Sequence, residues 1–180
     1  MAIKINTEKR IFTLETKHTM YQMQADTYGV LRHLWYGAKT GCDMSYLQDY
    51  PDVGFSGNPH DAGNDRTYSL DTLPLEYAGA GIGDFRVPAV EAVHADGSCA
   101  LDLRYYSHTV KQGKYAIAGL PALYAGEDEA ETLEVVLRDT ASAVEVTLKY
   151  GVLPELDIVT RCAEIRNCLL YTSDAADDGE

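Results

Sequence analysis

Apolar and polar residues alternate with period two along most of the patterned part of this chain. In "ETLEVVLRD", Leu133, Val135 and Leu137 share one side and Glu134 and Arg138 the other. In "AVEVTLKYG", Val144, Val146, Leu148 and Tyr150 oppose Glu145, Thr147 and Lys149. Successive side chains of a strand point to opposite faces, so each run predicts a strand with one apolar and one wet face. "LDIVTRCAEIRN" continues the style, with Ile158, Thr160 and Cys162 against Val159, Arg161 and Ala163. Two shorter β-type runs, Ile11 to Glu15 and Thr19 to Ala25, flank a polar turn, and an aromatic run from Tyr28 to Tyr36 is closed by Gly37. Asp96-Gly97, set between the alternating halves of "PAVEAVHADGSCALDLRYYSHTV", predicts a hairpin, and a second is expected to turn at Gln112-Gly113. No stretch carries a helical period and there is no internal repeat. Strands with one apolar face pair antiparallel and pack face to face, so the expected fold class is all-β, an antiparallel β-sandwich.

One stretch breaks the pattern. "PDVGFSGNPHDAGNDRTYSLD", Pro51 to Asp71, is rich in Gly, Pro, Asn and Asp and has almost nothing apolar. Loops this long in compact domains are either functional or unstructured. Its carboxylates, Asp52, Asp61, Asp65 and Asp71, with Glu76 beyond, invite a paired-carboxylate reading, since glycosidases need two at a fixed distance. Turn capping is the simpler use, because Asp and Asn bond their own backbone in turns. "DAGND" lacks the alternating oxygens and terminal Glu of a calcium loop, and His18, His33, His60, His94 and His108 have no zinc-site spacing, so no metal is expected. Gly79, Gly81 and Gly83 in "GAGIGDF" open no helix, which argues against a phosphate cradle. Among the 13 Tyr, aromatics such as Tyr36, Tyr105 and Tyr106, together with Trp35, are expected in core or half-core strand positions, though a sugar-stacking surface is the other use of such rings.

Charge narrows the partners. A formal net charge of -13 repels phosphate backbones, so nucleic acid is not an expected partner. No apolar run is long enough for a membrane-spanning helix, and "MAIKINTEKRIF" has no apolar signal-like core. Cys42, Cys99, Cys162 and Cys168 form no CxxC pair and are expected to be reduced, mostly buried thiols, in keeping with a cytoplasmic home.

A colinear set of strings carries a resemblance: "FTLETKHTMYQMQAD", "HLWYG", "DRTYSLDTLPLEY", "GDFRVPA", "DLRYYSH", "GLPALY", "ETLEVVLRD" and "VEVTLKYGVLPELDIVTRCAEIRN". Together they resemble the N-terminal region of the family 36 glycoside hydrolases, the bacterial α-galactosidases. The resemblance covers residues 5 to 167. It implies the N-terminal part of a β-supersandwich, followed in the family by a (β/α)8 barrel and a small C-terminal β domain. It also implies hydrolysis of terminal α-galactosides such as melibiose and raffinose with retention, by two Asp residues of the barrel and without any cofactor. The nucleophile lies in a K-W-D strand that this sequence does not contain, so no catalytic residue is expected in this chain. In tetrameric members a loop of this domain reaches a neighbouring subunit's pocket, where an Asp bonds galactose hydroxyls. The matching residue in "YPDVGFSGNP" is Asp52, and a carboxylate suits the task because it accepts two charge-assisted bonds. Arg66 of "DRT" is expected to brace that loop through a bidentate pair. A stand-alone carbohydrate-binding β-sandwich module, and a structural domain of a hydrolase with another sugar preference, remain the other readings.

The final "CLLYTSDAADDGE" is small and acidic without period, and resembles the conceptual translation of a sequencing adapter. Residues 1–167 are therefore expected to form the partial domain and residues 168–180 to be non-native. Without Asp174, Asp177, Asp178 and Glu180 the charge changes from -13 to -9, still acidic. A supersandwich cut short should expose sheet edges and apolar faces, with poor solubility as the result.

Overall fold

The structure, a computed structural model, describes residues 1–48, 59–139 and 141–168. It is all-β: two antiparallel sheets of four strands, each a simple meander. The first holds β1 (Ile3–Asn6), β2 (Ile11–Glu15), β3 (Thr19–Ala25) and β4 (Leu31–Ala38), in that order. The second holds β5 (Arg104–Gln112), β6 (Glu131–Asp139), β7 (Val144–Leu153) and β8 (Ile158–Asn167). Three short 3-10 turns, Ser45–Gln48, His60–Ala62 and Pro154–Leu156, are the only helical pieces among the described residues.

The period-two faces close the sandwich. Phe12, Leu14, Tyr21 and Met23 of the first sheet pack with Leu133, Val135, Leu137, Val146, Leu148 and Tyr150 of the second in one continuous core. Losing one such side chain costs about 2–5 kcal/mol, because the site relaxes only partly. The two sheets are also joined by polar clasps. The Glu131 carboxylate accepts the backbone N–H of Ala2 and Ile3, each at 2.8 Å. At the opposite turns, Asp157 sits in the left-handed region at φ 54° and accepts from the Thr16 hydroxyl and the His18 amide, each at 2.7 Å.

Several expectations need correction. β1 was not anticipated, since "IKIN" is too short to show a period; it exists because β2 offers it a full register from Ile3↔Leu14 to Asn6↔Ile11. The turn at Asp96-Gly97 forms, with the Gly97 amide on the His94 carbonyl and the His94 amide on the Ser98 carbonyl, both at 2.9 Å. Its flanks do not pair as a ladder: the chain beyond runs on into β5, which takes β6 as its partner. That second hairpin exists, but Gln112 faces Glu131, so residues 113–130 form a long connection where a tight turn was expected. The cysteines are free, yet Cys42, Cys99 and Cys168 are exposed and Cys162 is half-buried, because they fall in turns and on an edge strand. Tyr36 and Tyr106 are exposed, while Trp35 and Tyr105 are half-buried. Gly79 serves close backbone approach: a Cβ there would lie 2.0 Å from the Leu101 carbonyl oxygen.

Candidate functional site

Between the sheets runs an irregular limb, residues 59–103, held by side chains where a ladder would otherwise hold it. Its centre is Glu76. The stretch "LPLEYAGA" places one carboxylate in an apolar run, and burial leaves that side chain only 1% exposed. The carboxylate gathers both sheets. Tyr21 of β3 donates to it at 2.6 Å and Tyr150 of β7 at 2.8 Å. His33 Nδ1 of β4 lies at 3.1 Å and the Arg161 guanidinium of β8 at 2.8 Å. The Glu76 amide bonds the Leu31 carbonyl at 2.9 Å. Burial alone would raise the Glu76 carboxyl, but the His33, Arg161, Tyr21 and Tyr150 partners outweigh it and hold it below the ordinary carboxylate value. Burial and that same charge push the Tyr21 and Tyr150 phenols well up, so both stay protonated donors.

A second anchor lies nearby. Asp26 is buried and accepts the Tyr28 and Val30 amides, each at 2.9 Å, and the Tyr68 hydroxyl at 2.6 Å. Tyr68 belongs to a small apolar cluster with Val30, Ala62, Leu70 and Leu73, which seats the limb. Arg86 then latches it: one guanidinium nitrogen donates to the Leu70 carbonyl at 2.8 Å and the Leu73 carbonyl at 2.6 Å, and the group pairs with Asp84.

The remaining carboxylates of the limb are engaged locally. Asp65 caps its own turn, accepting the Thr67 amide at 2.9 Å and the Thr67 hydroxyl at 2.6 Å, bonds that hold its carboxyl below the ordinary value. Asp71 accepts the Ser69 hydroxyl at 2.6 Å, and Asp61 lies 3.7 Å from Arg104. The turn-capping reading therefore fits Asp65. Arg66, expected to brace the loop, is exposed, and no hydrogen bond or ion pair joins it to another described residue. The arm that Arg66 was expected to brace lies mostly outside the described residues, and Arg86 ties a different part of the limb, at Leu70 and Leu73. Asp52 lies outside the described residues, as do Phe55 and Ser56 and the tail from residue 169 onward. Among the described residues no group of three or more His, Cys, Asp or Glu could hold a metal ion, and no helix is long and apolar enough to cross a membrane. Chemically, this is a framework that positions a limb, with Glu76 buried on structural partners and Asp65 capping an exposed turn.

Residues 29–171 match the glycosyl hydrolase family 36 N-terminal domain. The chain belongs to that family. A bifunctional α-galactosidase/sucrose kinase of Mediterraneibacter gnavus is 53% identical over 167 residues, which is 93% of this chain and 18% of that protein. An α-galactosidase of Geobacillus stearothermophilus is 40% identical over 170 residues, 93% of this chain and 23% of its own length. The chain thus spans about a fifth of these relatives. The solved galactosidase domain of an α-galactosidase-sucrose kinase superposes with a TM-score of 0.89 at 52% identity, covering 92% of this chain and 23% of that one. A family 36 α-galactosidase of G. stearothermophilus solved in complex with raffinose gives 0.82 at 39% identity, over 87% of this chain and 22% of that one. This family 36 N-terminal domain carries its best-built polar centre, Glu76, where sequence reasoning saw only one acid among several. The readable signal was its apolar neighbours Leu75 and Tyr77.

Proposed function

We propose that this chain is the non-catalytic N-terminal part of a retaining, cytoplasmic α-galactosidase that acts on terminal α-galactosides such as melibiose and raffinose. In this reading it supports a homo-oligomer, a tetramer, in which Asp52 accepts hydrogen bonds from galactose hydroxyls in a neighbouring subunit's pocket. The reading rests on sequence identity with α-galactosidases along nearly the whole chain. Two further observations support it. Glu76, Asp65 and Asp71 of the limb are engaged in folding contacts, in keeping with catalysis by another part of the enzyme. Four free thiols suit a reducing compartment. A stand-alone sugar-binding module would want coplanar rings on one sheet face. Here the exposed strand tyrosines, Tyr36 of β4 and Tyr106 of β5, lie in different sheets, and the Arg138 guanidinium sits 3.6 Å above the Tyr106 ring.

The test is a chimaera in which residues 1–167 of this chain replace the aligned stretch of the M. gnavus relative. It is expected to hydrolyse p-nitrophenyl α-galactoside and raffinose, while the 180-residue chain by itself hydrolyses neither. Asp52→Ala in the chimaera is expected to raise KM roughly 10- to 100-fold, the worth of one or two hydrogen bonds to a charged acceptor. An inactive chimaera rejects the domain assignment; an Asp52→Ala variant with unchanged KM rejects the substrate contact.

A further inference from the structure

The connection from β5 to β6 departs from ordinary surface chemistry. From Ala116 to Tyr124, "AIAGLPALY", no side chain carries a charge and every residue is exposed. Leu120 is 61% exposed and Tyr124 90%. Single exposed apolar side chains are normal, but a contiguous run marks an interaction site.

The run is presented on a built base. The Gly113 amide bonds the Ala130 carbonyl at 2.8 Å, closing the neck of the loop. Thr132 on β6 donates its hydroxyl to the Gly113 carbonyl at 2.8 Å and accepts the Tyr115 amide at 3.0 Å. Tyr115 lies against β7 at Gly151, where an added Cβ would meet its ring at 3.2 Å and the Thr160 hydroxyl at 2.7 Å. The tip turns with the Leu120 amide on the Ile117 carbonyl at 3.1 Å and Gly119 at φ 77°. A loop fixed in this way loses little freedom when something covers it.

We infer that the apolar loop 116–124 is an intramolecular docking element, seated on the part of the same α-galactosidase polypeptide that lies outside this domain. This rests on the domain reading proposed above. Three observations choose the occupant. Relatives match this chain over only 18% to 23% of their length, so most of such an enzyme is available to cover it. A stable interface between separate copies needs roughly 20–30 residues a side, far more than this loop, whereas a tethered neighbour needs much less because the link supplies a high local concentration. The exposed triplet Glu127, Asp128 and Glu129 follows the loop directly, so two copies meeting symmetrically at this loop would bring like charges together. The matching surface is therefore an apolar hollow rimmed by Lys or Arg.

The experiment uses the chimaera, with p-benzoylphenylalanine placed at Leu120, at Leu123, or at the exposed Glu8 as control. Irradiation is expected to join positions 120 and 123 to peptides of the relative's own sequence within the same chain, without a shift to dimer mass, and to leave position 8 unlinked. Links to a second subunit, or none, overturn the inference. In parallel, Leu120→Ser with Leu123→Ser is expected to leave the urea midpoint of the 180-residue chain unchanged, yet to speed thermal inactivation of the chimaera about tenfold. Equal inactivation rates overturn it as well. An inactive, unfolded parent chimaera rejects the domain reading and this inference with it; an active one without these links rejects the inference alone.

Discussion

The two long irregular connections of this domain have opposite chemistry and opposite fates. The limb 59–103 begins rich in Asp, Asn and Gly, the composition that suggests a reactive site, yet Asp65 and Asp71 are engaged in local turns and Glu76 in a buried centre. The loop 116–124 is composed like a core segment and lies in solvent. A polar group that already has its partners does nothing further, whereas an apolar surface with none is unfinished. Composition points to the first region; what is left without partners points to the second.

The limb is most easily unseated at Glu76. Glu76→Ala would strip the partner from Arg161, His33 and two buried phenols at once, so a loss of about 3–5 kcal/mol is expected, read as a lowered urea midpoint in the fluorescence of Trp35, the single Trp. A loss under about 1 kcal/mol would mean that the limb is not held from its centre. Next comes Tyr68→Phe, which leaves Asp26 short of one bond; about 1–3 kcal/mol is expected by the same measurement.

A smaller, pH-dependent effect tests the same hub. The Glu76 carboxyl is held below its ordinary value of 4.5 in the folded state, so the unfolded chain takes up its proton first as pH falls. Its contribution is complete above that ordinary value and is lost as pH drops through the lower folded value. The stability gap between the parent and Glu76→Gln should therefore be constant near neutrality and shrink in acid. A gap that widens in acid would reverse the assignment. The smallest effect belongs to the other region: Leu120→Ser in the 180-residue chain should change folding stability by less than about 0.5 kcal/mol while raising its soluble yield. If solubility does not move, the loop is not the sticky surface of the isolated domain.

Most of the sandwich was legible because alternation is local. The runs Ile11–Glu15, Thr19–Ala25 and Glu131–Asp139 are strands with the very bounds that period and turn residues suggested. Partner choice was less legible, since it depends on residues far along the chain. Asp96-Gly97 makes its turn, yet the strand that follows finds β6. The Glu76 centre was least legible of all. Its partners stand at positions 21, 33, 150 and 161, brought together only when both sheets close, and no spacing in the sequence links them. Arg66 and Arg86 make the same point: both lie within the limb, and only the fold decides which one meets the carbonyls of Leu70 and Leu73.

The clasp between Glu131 and the amides of Ala2 and Ile3 has a consequence in time. The first sheet is complete once residue 38 has emerged from the ribosome, but the acid that fastens its leading strand arrives 93 residues later, at 131. At roughly 5–20 residues per second, synthesis leaves that sheet's apolar face waiting for about 5–20 s. Throughout that interval Phe12, Leu14 and Met23 lack the facing side chains of β6 and β7. The nascent chain is thus a client for whatever shelters apolar surface at the exit tunnel, and its most vulnerable moment comes before the second half of the sandwich exists.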